Sequence, residues 1–272
     1  MTFLEKIIQH KQQEVAERKR THPVSVLEKM PHFNLPSISL SSHLCEHKGS
    51  VIAEFKRRSP SQGAINDKVS LKDVTRAYVD AGAIALSVLT DIRFFGGSNA
   101  DLQEARCYNM CPILRKDFVV DEYQLLEAKA IGADVVLLIA ECLSAKALAD
   151  LSKRARALGL EVLLELHSAS QLDKIPPDID VLGINNRDLH SFRVDLDTSY
   201  QLIEAIPKTL CCISESGIQR PEEAIGLRNA GFKGFLMGTH FMSQPDPGVA
   251  CAEFIHALKR AEPLPKIIEN AG

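Results

Sequence analysis

The chain has 272 residues, of which 45% are hydrophobic and 25% are charged, and its formal net charge is −3. This length matches the roughly 250 residues of a single α/β barrel, and this composition is ordinary for a globular protein. Because the net charge is close to zero, nothing points to a nucleic-acid or membrane partner. A small anionic substrate would therefore need local clusters of Lys and Arg.

The cysteine content and the apolar runs predict a soluble, cytoplasmic protein. The seven cysteines are odd in number and include no Cys-x-x-Cys pair, which favours reduced packing residues. Residues 1–20 mix Glu, Lys and Gln with apolar side chains, and so do not have the pattern of a signal peptide. The longest apolar run, residues 135–140, is far shorter than the ~20 residues that cross a bilayer.

The first 49 residues differ in pattern from the rest of the chain and predict an N-terminal helical extension. Apolar residues at helical spacing predict a helix with one buried face: Phe3, Leu4, Ile7, Ile8 and Val15. Residues 22–49 are rich in Pro, Ser and His, which indicates loop with short helical pieces. A charge-dense first helix either binds a partner or packs on its own domain, and we favour packing.

From residue 51 onward, eight short aliphatic runs alternate with helical stretches. The runs cover residues 51–53, 84–89, 112–114, 135–139, 162–164, 181–184, 210–213 and 234–237. Continuous apolar runs are typical of parallel strands that are buried on both faces. Helices are predicted between them, for example over 71–81, 122–131, 145–158 and 221–230, and glycines follow at 82, 132, 159 and 231, where helices commonly end.

Eight strand–helix units predict a closed (β/α)8 TIM barrel, because an open sheet rarely uses this pattern. No Gly-x-Gly-x-x-Gly motif follows the first strand, which argues against a dinucleotide-binding sheet. We predict a single domain over residues 1–272, with the extension at 1–49 and the barrel at 50–262.

Charged and polar residues lie at the ends of several predicted strands, where this type of barrel gathers its catalytic side chains. They are Glu54, Lys56, Lys116, Glu165, Asn185 and Glu215. In an extended strand Glu54 and Lys56 point in the same direction. Any one of these charges, standing alone, is equally well explained as a structural salt bridge at the rim. Five charged side chains and one amide on the same barrel face indicate a catalytic mouth, because burying ionised groups is costly.

Small residues follow the last two predicted strands, as Ser216-Gly217 and Gly238-Thr239. In these barrels phosphate commonly binds after strands seven and eight, beside backbone N–H groups. Glycine allows the backbone to approach an anion closely. The two pairs together predict a phosphorylated, sugar-like substrate.

Eight sequence runs, in family order, resemble the indole-3-glycerol-phosphate synthase family. They are IAEFKRRSPSQG (52–63), SVLTD (87–91), FFGGS (94–98), PILRKDFVVDEYQ (112–124), ADVVLLIA (133–140), GINNRDL (183–189), SESGI (214–218) and FLMGTHFM (235–242). The resemblance implies an enzyme of tryptophan biosynthesis without cofactor or metal. It would convert 1-(2-carboxyphenylamino)-1-deoxyribulose 5-phosphate into indole-3-glycerol phosphate, CO2 and water.

The resemblance also implies catalytic roles. Ring closure needs an acid to protonate the carbonyl, and dehydration needs an acid for the departing hydroxyl and a base for the ring N–H. By similarity, Lys116 matches the general acid, Glu165 the base, and Lys56 a second essential lysine that pairs with substrate anions. Glu54 and Glu215 match acidic residues that position the substrate and keep the lysines charged.

Further positions match the family's substrate-binding residues. Asn185 and Arg187 correspond to a polar pair that hydrogen bonds to the substrate. Ser59, Ser216, Gly217, Gly238 and Thr239 fall on anion-binding positions, while Phe94 and Phe95 correspond to a wall of the aromatic pocket. The first helix and the Pro- and His-rich segment correspond to an extension across the barrel mouth. Residues 167–180 are fewer than the family usually has there, so a full helix is not expected. His167 follows Glu165 and could tune it, but we favour a position behind the residues that touch substrate, or one that faces solvent.

Two alternative functions stay open. One is another phosphosugar barrel, phosphoribosylanthranilate isomerase, but that family has a Cys base after the first strand, where this sequence has Glu54 and Lys56. The other is a barrel that binds a ligand without turnover, although the presence of Lys56, Lys116 and Glu165 argues against such decay. We expect a monomer, with a homodimer as the alternative.

Overall fold

Eight parallel strands form a closed barrel in the computed structural model, which describes residues 2–47 and 49–260. The strands are β1 (Ser50–Phe55), β2 (Ala85–Leu89), β3 (Ile113–Lys116), β4 (Val135–Ile139), β5 (Glu161–Leu166), β6 (Val181–Asn185), β7 (Cys212–Glu215) and β8 (Gly234–Met237). Each strand pairs with the next along the chain, and β8 closes the barrel by pairing with β1. The TIM barrel predicted from eight aliphatic runs is therefore confirmed. β1 begins beside the predicted boundary at 49/50, while the division into domains stays a prediction.

Helices connect the strands and surround them. They are α1 (Phe3–Thr21), α2 (Val24–Leu27), α3 (Leu40–Glu46), α4 (Leu71–Asp80), α5 (Ile92–Phe95), α6 (Asn99–Tyr108), α7 (Tyr123–Ile131), α8 (Ala145–Ala157), α9 (Asp197–Ala205), α10 (Pro221–Ala230), α11 (Thr239–Met242) and α12 (Pro247–Arg260). The four glycines predicted to end helices all have positive φ. A 3₁₀ helix, Ala169–Lys174, takes the place of a full helix between β5 and β6. In the described part of the chain, no helix has the length and apolar character needed to cross a membrane.

The alternation of side chains along each strand separates two apolar layers. One direction faces the helices and buries residues such as Val51, Val136 and Leu138. The other direction fills the barrel interior: Ile52, Leu114, Leu163 and Ile213. Two residues further along these same four strands, the inward positions are Glu54, Lys116, Glu165 and Glu215. The barrel core thus ends in a layer of charged side chains at the C-terminal ends of the strands.

Helix α1 lies at this C-terminal end of the barrel, as the sequence predicts. Lys11 in α1 is only 1% exposed, and its Nζ lies 2.9 Å from a carboxylate oxygen of Asp91 and 2.9 Å from one of Asp117. These two aspartates follow β2 and β3. The apolar face of α1 continues down the outside of the barrel, where Val15 belongs to the same buried cluster as Leu27 of α2 and Tyr123 of α7.

The expectation that the Pro-, Ser- and His-rich segment also crosses the mouth is wrong. Its backbone reaches the opposite end of the barrel, where the N–H of Ile38 donates to Asp134 at 2.8 Å and that of Leu40 to Glu161 at 2.8 Å. Asp134 and Glu161 stand at the starts of β4 and β5. Helix α3 follows there, and its fully buried Leu44 belongs to the apolar cluster of the barrel interior. The segment packs at this end because carboxylates there accept hydrogen bonds from its N–H and hydroxyl groups.

Candidate active site

A cavity of about 590 Å³ opens at the C-terminal ends of the strands. All six polar residues that were predicted to converge on the mouth line it: Glu54, Lys56, Lys116, Glu165, Asn185 and Glu215. They come from β1, β3, β5, β6 and β7 or from the residue after them, so the closed barrel brings together positions that are far apart in the sequence.

Lys116 lies at the centre of the charged layer. Its Nζ donates to Glu165 at 2.7 Å and to Glu215 at 2.6 Å, and its side chain is 14% exposed. Burial would lower the pKa of Lys116, but the carboxylates of Glu165, Glu215 and Glu54 raise it above its ordinary value. The ammonium group is therefore charged and has protons to donate at the cavity floor.

The two carboxyl groups beside Lys116 have opposite pKa shifts. Burial raises the pKa of Glu215 to about 8, with Lys116 opposing this shift and Glu165 adding to it. Burial also acts to raise the pKa of Glu165, but Lys116 and then His167 lower it well below its usual range. At neutral pH Glu165 is an ionised acceptor, while the raised pKa of Glu215 favours its protonated form.

A second ion pair lies beside the first. Lys56 Nζ donates to Glu54 at 2.8 Å, and the hydroxyl of Ser87 donates to the other carboxylate oxygen of Glu54 at 3.2 Å. Burial would raise the pKa of Glu54, but Lys56 and Lys116 lower it. Each lysine of the cavity thus pairs with at least one inward-facing glutamate.

Backbone geometry after β7 and β8 suits an anion. Ser216 has a φ of +66° and Gly217 a φ of +85°, and both line the cavity. A non-glycine residue in this conformation costs free energy and is enriched at functional sites. Gly238 approaches β1 so closely that a Cβ there would lie 2.7 Å from a carboxylate oxygen of Glu54. Thr239 then begins α11, and N–H groups at a helix start lack intrahelical partners.

Asn185 and Arg187 lie side by side at the end of β6. The side-chain oxygen of Asn185 accepts a hydrogen bond from the backbone N–H of Arg187 at 3.0 Å, which fixes the amide at the strand end. One guanidinium N–H of Arg187 donates to the carbonyl of Phe192 at 3.3 Å, and the half-buried side chain lines the cavity. The remaining guanidinium donors are available for a ligand.

An apolar wall faces the charged layer. Phe95 and Phe118 both line the cavity, with ring centroids 6.0 Å apart. Other apolar lining residues are Leu89, Leu137, Ile139, Leu189 and Leu236. The sequence singled out Phe95 but not Phe118 or these aliphatic residues. Phe118 lies two positions after Lys116, and residues two apart along an extended chain point in the same direction. The argument that aims Glu54 and Lys56 into the mouth therefore also predicts Phe118 there.

Ser59 and Phe94 do not line the cavity. Ser59 belongs to a short hairpin, Arg58–Ser59 with Gly63–Ala64, and its hydroxyl lies 3.3 Å from that of Ser61. Phe94 packs its ring against Phe3 of α1, with centroids 5.7 Å apart. Every other residue predicted to bind substrate lines the cavity: Phe95, Arg187, Ser216, Gly217, Gly238 and Thr239.

For His167 the sequence allows three positions: one that tunes Glu165, one behind the residues that touch substrate, and one that faces solvent. Its side chain is 6% exposed, and Nε2 lies 3.1 Å from the Glu165 oxygen Oε1. The solvent-facing alternative is therefore wrong.

Solved structures with low sequence identity share the fold. The alpha subunit of tryptophan synthase from Legionella pneumophila gives a TM-score of 0.58 at 15% identity, covering 80% of this chain and 95% of that chain. Thiamine phosphate pyrophosphorylase from Pyrococcus furiosus gives a TM-score of 0.58 at 17% identity, covering 81% and 98%. At these identities the likeness concerns the barrel alone.

Sequence relatives are much more similar. The indole-3-glycerol phosphate synthase of Bacteroides thetaiotaomicron is 44% identical over 257 residues, which cover 94% of this chain and 99% of the relative. The indole-3-glycerol phosphate synthase of Salinibacter ruber is 42% identical over 275 residues and covers 100% of both chains. A family model described as indole-3-glycerol phosphate synthase matches residues 4–254. The chain therefore belongs to the indole-3-glycerol phosphate synthase family.

Proposed function

We propose that the cavity is the site where this chain catalyses the family's reaction. That reaction is ring closure, decarboxylation and dehydration of 1-(2-carboxyphenylamino)-1-deoxy-D-ribulose 5-phosphate to indole-3-glycerol phosphate, CO2 and water. The observation that carries the assignment is the position of Lys116, with its Nζ 2.7 Å from Glu165 and 2.6 Å from Glu215 on the cavity floor. A proton donor and a proton acceptor in contact, inside a cavity, are what the two acid–base steps require.

The two ends of the cavity match the two ends of this substrate. The phosphate binds at Ser216, Gly217, Gly238 and Thr239, where backbone N–H groups and two hydroxyls gather at the strand ends. The carboxyphenyl ring lies against the apolar wall, between Phe95 and the aliphatic residues that face it. Ser59 and Phe94 lie outside the cavity lining, and their part in substrate binding stays a prediction from the sequence.

The cations of the cavity lining support an anionic ligand. The lining contains Lys56, Lys116 and Arg187 together with four carboxyl groups, those of Glu54, Asp117, Glu165 and Glu215. Lys56 and Lys116 each pair with a glutamate of the lining, whereas Arg187 has no ion pair among the described residues. Arg187 is therefore the cation that attracts the phosphate and carboxylate of the substrate.

In ring closure, Lys116 is the general acid. Its Nζ–H turns from the carboxylates to the substrate carbonyl and protonates the oxygen as the ring carbon attacks. Lys56 pairs with the substrate carboxylate until CO2 leaves, and Glu54 holds the Lys56 side chain in place through its 2.8 Å contact. Asn185 and Arg187 donate hydrogen bonds to the sugar hydroxyls.

In dehydration, Glu165 is the general base. It is ionised at neutral pH because Lys116 and His167 outweigh the effect of its burial on the pKa. It takes the proton that leaves the five-membered ring while a protonated lysine assists the departing hydroxyl. Glu215 keeps Lys116 in place between the two steps.

Turnover by purified protein tests the proposal directly. The protein and the carboxyphenylamino-deoxyribulose phosphate are mixed without added metal, and indole fluorescence is followed, with Lys116→Ala as the control. We expect turnover in the wild type and a loss of roughly 10²- to 10⁴-fold in the variant, the usual contribution of one general acid. Undiminished turnover in Lys116→Ala would contradict the role of Lys116, and tight binding without turnover would favour the non-catalytic barrel.

Two further statements stay predictions from the sequence. One is the cytoplasmic location. The other is the monomeric state, with a homodimer as the alternative, and gel filtration with light scattering of the purified protein distinguishes these two.

A further inference from the structure

His167 lies next to the proposed general base on the side away from the cavity. Its Nε2 is 3.1 Å from Oε1 of Glu165, whereas Lys116 contacts the other oxygen, Oε2, at 2.7 Å. The imidazole does not line the cavity, and its side chain is 6% exposed. Glu165 is therefore held between a lysine on the substrate side and a histidine behind it.

The ring nitrogens of His167 are not used in a regular hydrogen bond. Both Nδ1 and Nε2 are buried without a regular hydrogen-bond partner among the described residues, although Nε2 lies 3.1 Å from Oε1 of Glu165. Buried polar atoms are nearly always hydrogen bonded, so an orphaned pair needs an explanation. Catalytic hydrogen bonds are often poorly aligned before substrate binds and tighten only in the complex.

The backbone at His167 is fixed, so a change of alignment requires only a turn of the ring. The N–H of His167 donates to the side-chain oxygen of Gln171 at 2.8 Å, and Gln171 is 3% exposed. The amide of Gln171 in turn donates to Glu141, which follows β4. The short 3₁₀ helix after β5 thus folds back and anchors the residue that carries the imidazole.

We propose that His167 is a positioning residue for Glu165, taking over its carboxylate when Lys116 turns to the substrate. This inference rests on the proposed function, in which the Lys116 Nζ–H leaves Glu165 to protonate the carbonyl. A buried carboxylate that loses its only cation is strongly destabilised. Donation from Nε2–H of His167 to Oε1 holds the ionised carboxylate in place and leaves Oε2 free to accept the proton in dehydration.

Three substitutions at this position separate hydrogen bonding from packing. His167→Leu keeps most of the volume and removes the donor. His167→Gln places an amide N–H about where Nε2 lies, while His167→Asn places one about where Nδ1 lies, too far from Oε1. His256→Leu, on the exposed face of α12, is the matched control for loss of an unrelated histidine. Circular dichroism verifies the fold of each variant.

The measurement is the rate of CO2 release beside the rate of indole fluorescence in a single turnover. We expect His167→Leu and His167→Asn to release CO2 at nearly the wild-type rate and to form indole roughly 10- to 100-fold more slowly, the effect of one hydrogen bond to a charged group. The KM should stay within about threefold, because His167 does not touch substrate. His167→Gln should recover indole formation to within about fivefold of the wild type, and His256→Leu should match the wild type.

Equal impairment of His167→Gln, His167→Asn and His167→Leu would mean that the imidazole acts through packing, and would overturn the proposal. Unimpaired indole formation in His167→Leu would also overturn it, because the hydrogen-bond donor would then not be needed. If His167→Leu fails to fold, the comparison of Gln with Asn still decides. A wild type that releases neither CO2 nor indole contradicts the proposed function itself. That outcome is distinct from a defect limited to the variants.

Discussion

Lys116 is shared by two carboxyl groups whose pKa values are pushed in opposite directions. Burial raises the pKa of Glu215, whereas Lys116 and then His167 lower that of Glu165 against the effect of its burial. Two titratable groups with separated pKa values mark an assignment of acid and base roles. Because the raised pKa of Glu215 favours its neutral form, the departure of Lys116 toward the substrate does not require two buried negative charges side by side.

The division of labour predicts a split phenotype for Glu165→Gln. An amide cannot accept the proton in dehydration, but Lys116 still has Glu215 at 2.6 Å to hold it for ring closure. We expect CO2 release within about tenfold of the wild type and indole formation reduced by roughly 10²- to 10⁴-fold. Single-turnover measurements of both products check this. Equal loss of both steps would contradict the assignment of Glu165 as the dehydration base.

At the residue scale, the sequence predicted best where strand geometry dictates direction. Glu54, Lys116, Glu165 and Glu215 each lie two positions after an inward apolar residue, so a period of two is enough to aim them into the mouth. Ser59, in contrast, lies beyond the strand end in a hairpin whose path no periodicity specifies. The position of the His167 side chain depends on how the chain turns after β5, and a single sequence does not determine that turn.

At the scale of elements, one buried lysine ties helix α1 to two turns that carry the aromatic wall. Lys11 contacts Asp91, whose other oxygen accepts the N–H of Phe94 at 2.7 Å and that of Phe95 at 3.3 Å. Lys11 also contacts Asp117, which accepts the N–H of its neighbour Phe118 at 2.9 Å. The sequence predicted the helix from its apolar face, but a buried lysine on that face has partners too distant in the chain to be read from a pattern.

Replacing this lysine should cost much of the stability of the protein. Lys11→Met leaves the carboxylates of Asp91 and Asp117 buried without their shared cation, so we expect a loss of about 3–5 kcal/mol of unfolding free energy at pH 7. Lys19→Met is the control in the same helix. It breaks a 2.7 Å pair with Asp121 whose side chains are 45% and 33% exposed, and should cost about 0–1 kcal/mol. Chemical denaturation of the two variants measures the difference.

The loss of unfolding free energy in Lys11→Met should also depend on pH. Burial would raise the pKa of Asp117, but Lys11 and Arg115 lower it to about 2, from an ordinary value of 3.8. A carboxyl with a lowered pKa contributes stability above its unfolded pKa and loses it as the pH falls through its folded pKa. The difference in unfolding free energy between wild type and Lys11→Met should therefore become smaller as the pH falls from about 4 toward 2. A gap that is constant over this range would mean that the lysine acts through packing of its alkyl chain.

On the scale of the whole molecule, the two ends of the barrel have different tasks. The C-terminal end carries the cavity, while the N-terminal end is covered by α3, whose Leu40 and Leu44 are fully buried. The alternation of strands and helices in the sequence was sufficient to predict the barrel, because few folds use eight such units. The path of the extension was not predictable, since its Pro, Ser and His content indicates loops without saying which end of the barrel offers them partners.

A Glu→Gln substitution at each end of β5 tests whether one end of the barrel serves stability and the other catalysis. At the N-terminal end, the carboxylate of Glu161 accepts the N–H groups of Leu40 and Ser41 at 2.8 and 2.9 Å and the hydroxyls of Ser39 and Ser41 at 2.6 and 2.7 Å. Glu161→Gln removes the charge and half of these acceptor sites, so we expect a loss of about 1–3 kcal/mol in unfolding free energy. Because the cavity lies at the other end, kcat and KM below the unfolding transition should stay within about twofold of the wild type.

Glu165→Gln, four residues along the same strand, should show the reverse. Lys116 keeps Glu215 as a partner at 2.6 Å, so stability should stay about unchanged, while indole formation is lost, as expected where a site is built for chemistry at some expense of stability. Denaturation curves and steady-state kinetics on both variants give the comparison. A change in kcat for folded Glu161→Gln that is as large as the change for Glu165→Gln would mean that α3 is coupled to the active site through the barrel core. The two ends would then no longer be independent.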